Sequence, residues 1–206
     1  MSSHLTFFVE EQSMEAFLRA VLPRLLPDSV HFEIFTFQGK RDLIEKLPKR
    51  LRGLAPTLAA NSRIVILVDR DDDDCRQLKS ELNEIAVQAG LKVRNVGSTD
   101  WQVVNRIVIE ELEAWYFGDW DAVREAFPRV SANVPRQQQY RDSDGIAGGT
   151  WEALERLLKK AGYFAAGVAK IELARKIGQR FQPDRCKSPS FRCFREVVLE
   201  AVVGSQ

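Results

Sequence analysis

The chain has 206 residues, 45% of them hydrophobic and 29% charged, ordinary values for a globular protein with room for a sizeable core. No run approaches eighteen consecutive apolar residues and the start lacks a basic-then-apolar leader, so neither a membrane span nor export is expected. The net charge of +1 excludes strong overall steering toward nucleic acid, yet residues 151–206 carry 11 Lys/Arg against 6 Asp/Glu, while the first 150 carry 19 against 23. An acidic front with a basic tail suits a metal site beside a phosphate-contacting surface; a solvated helical face suits it as well. Cys75, Cys186 and Cys193 are scattered without metal-type pairing and read as reduced thiols of a cytoplasmic protein.

In chain order, Leu5–Val9 is a short apolar run that predicts a buried strand ending at Glu10-Glu11. Ser13 is placed to cap a helix whose Met14, Phe17, Leu18, Val21 and Leu22 share one face, with Pro23 and Pro27 closing it. Val30–Phe37 reads as a second strand, and Gln38-Gly39 turns into a helix near Asp42–Arg50. Ile64–Val68 (IVILV) is the clearest strand, the kind covered on both faces. A helix follows over Asp73–Ala89 with Leu78, Leu82, Ile85 and Ala86 inward and Gly90 at its end. Lys92–Val96 and Val103–Ile109 are further predicted strands. This alternation argues for right-handed crossovers and a mostly parallel sheet.

Beyond Trp115 the pattern turns helical. Asp119 is placed to cap a short helix to Phe127, residues 128–150 read as loop, and Trp151–Lys160, Val168–Arg180 and Pro189–Val203 read as helices. The last has Ser188 as cap and Pro189 at its first position. The expected organisation is an α/β domain over 1–118 and a helical C-terminal extension over 119–206.

The chemistry-bearing residues are acids. Asp69-Arg70-Asp71-Asp72-Asp73-Asp74 directly follows the IVILV strand, at the sheet edge where α/β proteins gather ligands. Asp69 and Asp71 are two residues apart and suit a hard divalent cation, which takes two or three such oxygens. Asp72, Asp73 and Asp74 are explained by the dipole of the helix they precede. Glu10 and Glu11 end the first strand, with Glu15 one turn after Glu11; Glu111 and Glu113 follow the Val103–Ile109 strand. Acids at three strand ends make a two-metal site conceivable. His4 and His31 lack zinc spacing, and Trp101, Trp115, Trp120 and Trp151 read as core anchors. Cys75 reads as structural and Lys79 as an exposed surface lysine.

A strand ending in Glu, a helix, and a later apolar strand ending in Asp-x-Asp resemble the Toprim domain. Through FFVEEQSMEAFLRAVLPRLLP, VILVDRDDDDC, IEELEAWYFGD and SPSFRCF the chain resembles the Toprim-related domain-of-unknown-function family 4276, similar to the overcoming-lysogenization-defect nucleases. The resemblance implies a Toprim-like, mostly parallel sheet flanked by helices. It implies Glu10 as first-motif acid, Asp69 and Asp71 as ligands of Mg²⁺ or Mn²⁺, and Glu113, with Glu111, as further acids. Glu11 stands where Toprim proteins commonly have Gly, and Met14 where the nuclease branch repeats the acid. Glu15 supplies that function from the neighbouring position, or the second metal is weak or absent.

The implied activity is metal-dependent phosphodiester cleavage of DNA or RNA, with Glu10 orienting or deprotonating water and Glu15 and Glu113 completing the shell. Lys170, Arg175, Arg192 and Arg195 are candidate phosphate contacts. Kinship implies an ABC-type ATPase partner in an antiphage or toxin-like system, and leaves a homo-oligomer open. No Walker-type phosphate loop occurs. Two other readings stand: a degenerate Toprim module that binds an ATPase or nucleic acid without catalysis, and a Mn²⁺-dependent nucleotide-sugar transferase using Asp-x-Asp.

Overall fold

In the computed structural model, four strands rich in β-branched and aromatic residues form one parallel sheet. They are β1 (Ser3–Val9), β2 (Val30–Thr36), β3 (Ser62–Asp69) and β4 (Val103–Val108), in the order β2-β1-β3-β4. The structure describes residues 3–203 except 72, 96, 110, 165, 166 and 168. Parallel neighbours need crossovers, and three helices supply them: α1 (Gln12–Leu25), α2 (Lys40–Leu54) and α3 (Cys75–Gln88).

Strand periodicity divides the core into two layers. Leu5, Phe7, Val9, Val65 and Leu67 face α1 through Phe17, Leu18, Val21 and Leu22. Phe8, Ile64, Ile66 and Val68 face the other way, against Leu43, Leu47 and Leu51 of α2 and Leu78, Leu82 and Ala86 of α3. All residues of β3 from Ile64 to Val68 are buried, as expected of a strand covered on both sides. No helix among the described residues is long and apolar enough to cross a membrane.

Five more helices extend the first layer: α4 (Glu113–Gly118), α5 (Trp120–Ala126), α6 (Thr150–Lys160), α7 (Lys170–Arg180) and α8 (Pro189–Val203). Trp115 of α4 lies 5.8 Å from Phe17, 5.2 Å from Phe191 and 5.1 Å from Phe194 by ring centroid. Phe17 also meets Phe181 edge-on at 5.0 Å. Each such ring contributes roughly 1.5–3 kcal/mol by leaving water. Trp101, Trp115 and Trp120 are buried anchors as expected, whereas Trp151 is half-buried with the Lys170 ammonium 4.3 Å above its ring.

Local signals behave as read at several ends. Ser188 Oγ accepts the Phe191 N–H at 3.2 Å, capping α8 with Pro189 at its first position. Gly90, at φ +81°, ends α3 while the Leu91 N–H reaches back to Ala86 O.

Other expectations are corrected. Lys92–Val96 is not a strand among its described residues: Val93 makes one isolated parallel bridge to Val103, and Val96 lies outside the described residues. Glu11, not Ser13, precedes α1; Ser13 sits inside the helix and donates to Glu11 Oε2 at 3.1 Å. Pro23 lies within the last turn of α1 rather than closing it. Asp119 precedes α5 but does not cap it with its side chain. That carboxylate is drawn instead into an ion pair with Arg185 and accepts the Gln182 N–H at 2.7 Å.

Candidate metal centre at the carboxyl edge of the sheet

β1 and β3 are neighbours whose connections leave in opposite directions, β1 toward β2 and β3 toward β4. This is the switch point of an open parallel sheet, where the loops part and leave a crevice outside the strand ends. Val9 pairs in register with Leu67, so Glu10 emerges level with the end of β3. Its carbonyl accepts the N–H of Gly39, whose φ of +97° is the left-handed conformation glycine allows without strain. The start of α2 is thereby tied to the end of β1.

Two buried acids meet at this point. Glu10 is only 9% exposed, and its Oε2 accepts the Asp69 N–H at 3.2 Å. Asp69 is partly exposed as a residue, yet its Oδ1 is buried with no hydrogen-bond partner. Burial first, then the charges of Glu10, Glu113, Asp71 and Glu11, push the Asp69 carboxyl well above its ordinary range. Burial also raises Glu10, although the Asp69 N–H and the Lys40 ammonium oppose it.

Glu113 comes from the first turn of α4, the helix that follows β4. It is buried, and burial raises its carboxyl to about 7, opposed by Lys170 and reinforced by Glu111 and Glu11. Tyr116 lies one turn further on. Its hydroxyl is buried without a partner, and burial, then Glu113 and Asp69, raise its pKa. The carboxyl edge thus gathers acids around a buried carboxylate oxygen and a buried phenol that make no hydrogen bond.

Asp71 sits at the exposed rim at φ +48°, a conformation Asp adopts more readily than most residues. Its Oδ2 accepts from Lys40 Nζ at 2.7 Å, and the same ammonium reaches Asp73 Oδ2 at 2.7 Å and Arg70 O at 3.1 Å. Lys40, like Tyr116, is a residue that sequence reasoning missed, because its proximity depends on how the β2–α2 turn packs. Lys79, by contrast, is exposed. Asp74 caps α3 by accepting the N–H groups of Arg76 and Gln77, as the dipole reading expects. Asp72 lies outside the described residues.

Two expected site acids have other work. Glu15 accepts from Thr36 Oγ1 at 2.5 Å and from Arg19 Nε at 2.8 Å, so one oxygen is committed to the end of β2 and the other to its own helix. Glu111 Oε2 accepts from Thr150 Oγ1 at 3.1 Å and the Trp151 N–H at 2.8 Å, tying down the start of α6. Glu11 stays near the buried acids, and its charge raises Glu10, Asp69 and Glu113. Among the described residues, no three His, Cys, Asp or Glu side chains converge closely enough in this arrangement to hold an ion.

The basic residues of the tail separate likewise. Lys170 acts on Glu113 through its charge. Arg192 Nε donates to Cys186 O and Arg195 pairs with Asp184, while Arg175 lines a shallow groove with Arg19.

The family model described as "Domain of unknown function (DUF4276)" matches residues 9–198. The chain belongs to that family. The C-terminal region of the Burkholderia pseudomallei OLD protein is similar in fold to this DUF4276 chain. The TM-score is 0.51 over 98% of this chain and 100% of that one, at 18% identity. No curated protein matches. At that identity the likeness is one of fold, and it carries the expected parallel α/β sheet with C-terminal helices.

Proposed function

We propose that the chain is a Toprim-type nuclease that cleaves nucleic-acid phosphodiesters with Mg²⁺ or Mn²⁺. The observation that carries this reading is the buried, partnerless Oδ1 of Asp69 beside Glu10, at the switch point of the sheet. A buried carboxylate without a partner is costly, and a hard cation is what an all-oxygen set of this kind accommodates. Asp69 and Glu10 would hold the ion, joined by Asp71 from the rim and supported by Glu113 and Glu11, once these side chains draw closer than they stand in this arrangement. The ion would supply Lewis acidity at the scissile phosphate.

The chain's own groups supply the rest. Glu10, whose carboxyl burial raises above its ordinary value, is placed to orient or deprotonate an attacking water. Tyr116 adds a hydroxyl that makes no hydrogen bond in this arrangement and lies near enough to Glu113 and Asp69 for their charges to raise its pKa. Lys170, above the Trp151 ring, contributes positive charge beside a site that must receive polyanionic substrate. Kinship adds an ABC-type ATPase partner in a defence or toxin-like system, and the three free cysteines suit a reducing cytoplasm.

Purified protein incubated with labelled single- and double-stranded DNA and RNA plus Mn²⁺, beside an Asp69→Ala/Asp71→Ala variant, tests the proposal. Cleavage by the wild type alone supports it; equal cleavage by both, or none by either with the ATPase present, refutes it. A non-catalytic module that binds the ATPase is the second reading. It is favoured by the commitment of Asp71 to Lys40 and by Met14 at the repeat-acid position.

A further inference from the structure

We infer that Lys40 is an exchangeable counter-ion of Asp71: the divalent cation and the Lys40 ammonium compete for this carboxylate, and binding of the ion frees the ammonium. The inference rests on the metal reading above and adds a positioning residue to it.

The geometry fills the capacity of the ammonium. An ammonium has three donors, and those of Lys40 go to Asp71 Oδ2, Asp73 Oδ2 and Arg70 O. With none to spare, Lys40 is in no position to grip a substrate phosphate. Instead it gathers Arg70 O, Asp71 and Asp73 around one ammonium. The arrangement is also asymmetric. The Lys40 side chain is 15% exposed, whereas those of Asp71 and Asp73 are each 51% exposed, so the pair opens to water on the aspartate side. Ion pairs open to water are weak and exchange readily. A dication that also engages Asp69 and Glu10 gains more from Asp71 than a single ammonium does, because its charge is doubled and the buried acids nearby are only partly compensated, by the Asp69 N–H and Lys40.

Room exists for the exchanged group. A cavity of about 760 Å³ lies between α2 and α3, lined by Lys40, Arg41, Ile44, Asp71, Asp73 and Gln77. Because α2 is anchored through Gly39 to Glu10, the Lys40 backbone stays fixed while its four-carbon stem swings into this space. Asp73 remains as its partner. The freed donors then face this open cavity.

Calorimetric Mn²⁺ titration of full-length wild type, Lys40→Met and Lys40→Arg, each checked by thermal melting, tests this. Lys40→Met is expected to bind Mn²⁺ about tenfold tighter, and Lys40→Arg within about twofold of wild type. In the wild type alone, Mn²⁺ is expected to increase acylation of Lys40 by an amine-reactive reagent, read by mass spectrometry, while exposed Lys79 stays constant. Unchanged or weaker Mn²⁺ affinity in Lys40→Met, or Lys40 labelling that stays flat or falls with Mn²⁺, overturns the exchange. Absence of Mn²⁺ binding in all three proteins overturns the metal reading, and the exchange with it.

Discussion

The Asp69 N–H donates to Glu10 Oε2 at 3.2 Å, joining residues 59 positions apart at the ends of two adjacent strands. The bond holds two acids side by side where neither has a full counter-charge. Asp69→Asn removes the buried charge, and its amide can donate where the carboxylate could not. It is expected to raise the stability of the metal-free protein by about 1–3 kcal/mol in denaturant melts, and to abolish Mn²⁺ binding. A variant that is destabilised and still binds Mn²⁺ would contradict the assignment.

The titration of Glu113 sets a pH dependence. Its carboxyl stands at about 7 in the fold against an ordinary 4.5, so between these values the folded protein holds a proton that the unfolded chain has released. Stability from this group is full below about pH 4.5 and lost as pH rises through 7, an effect of about 3 kcal/mol. Metal-free protein is therefore expected to melt at lower temperature at pH 8 than at pH 5.5. Glu113→Gln should flatten that slope, and an unaltered slope would count against this role of Glu113.

Tyr116 offers a different separation of stability from function. Its hydroxyl is buried and partnerless, so Tyr116→Phe removes an unsatisfied group at nearly constant volume. The melting midpoint is expected to hold or rise by an amount equivalent to about 1 kcal/mol, while cleavage falls at least about tenfold. Loss of both together would mark the tyrosine as ordinary core.

Asp144 should matter to folding alone. Its Oδ1 accepts from Ser188 Oγ at 2.6 Å and its Oδ2 accepts the Ser190 N–H at 2.7 Å, holding the first turn of α8. Asp144→Ala is expected to cost about 1–3 kcal/mol in urea unfolding and to leave Mn²⁺ affinity unchanged. A shift in that affinity would tie the helical tail to the acid edge more closely than these contacts do.

The strands were readable because their signal is local. Ile64–Val68 is buried on both faces and therefore apolar at every position, and the α1 stripe from Met14 to Leu22 follows from helical spacing alone. Lys92–Val96 misled because alternation in a short segment says nothing about whether a partner strand is available; Val93 finds one bridge and no ladder. The acids at Glu10, Asp69 and Glu113 were legible as strand-end residues, since topology brings parallel strand ends to one edge. The commitments of Glu15 to Thr36 and Arg19, of Glu111 to the start of α6, and of Asp71 to Lys40 were not. Each depends on side-chain reach between separate elements, which spacing along the chain does not encode.

Gly178 of α7 lies so close to α1 that an added methyl group would stand 3.0 Å from the Ala20 Cβ and 3.3 Å from the Phe17 carbonyl oxygen. The same stretch of α1 begins just after Glu10 and supports Trp115, two residues past Glu113. Any substitution that wedges these two helices apart would therefore loosen the walls that keep the acids dry. On the proposed nuclease reading, mutations far down the sequence, in a region bearing none of the site acids, would then register as losses of cleavage.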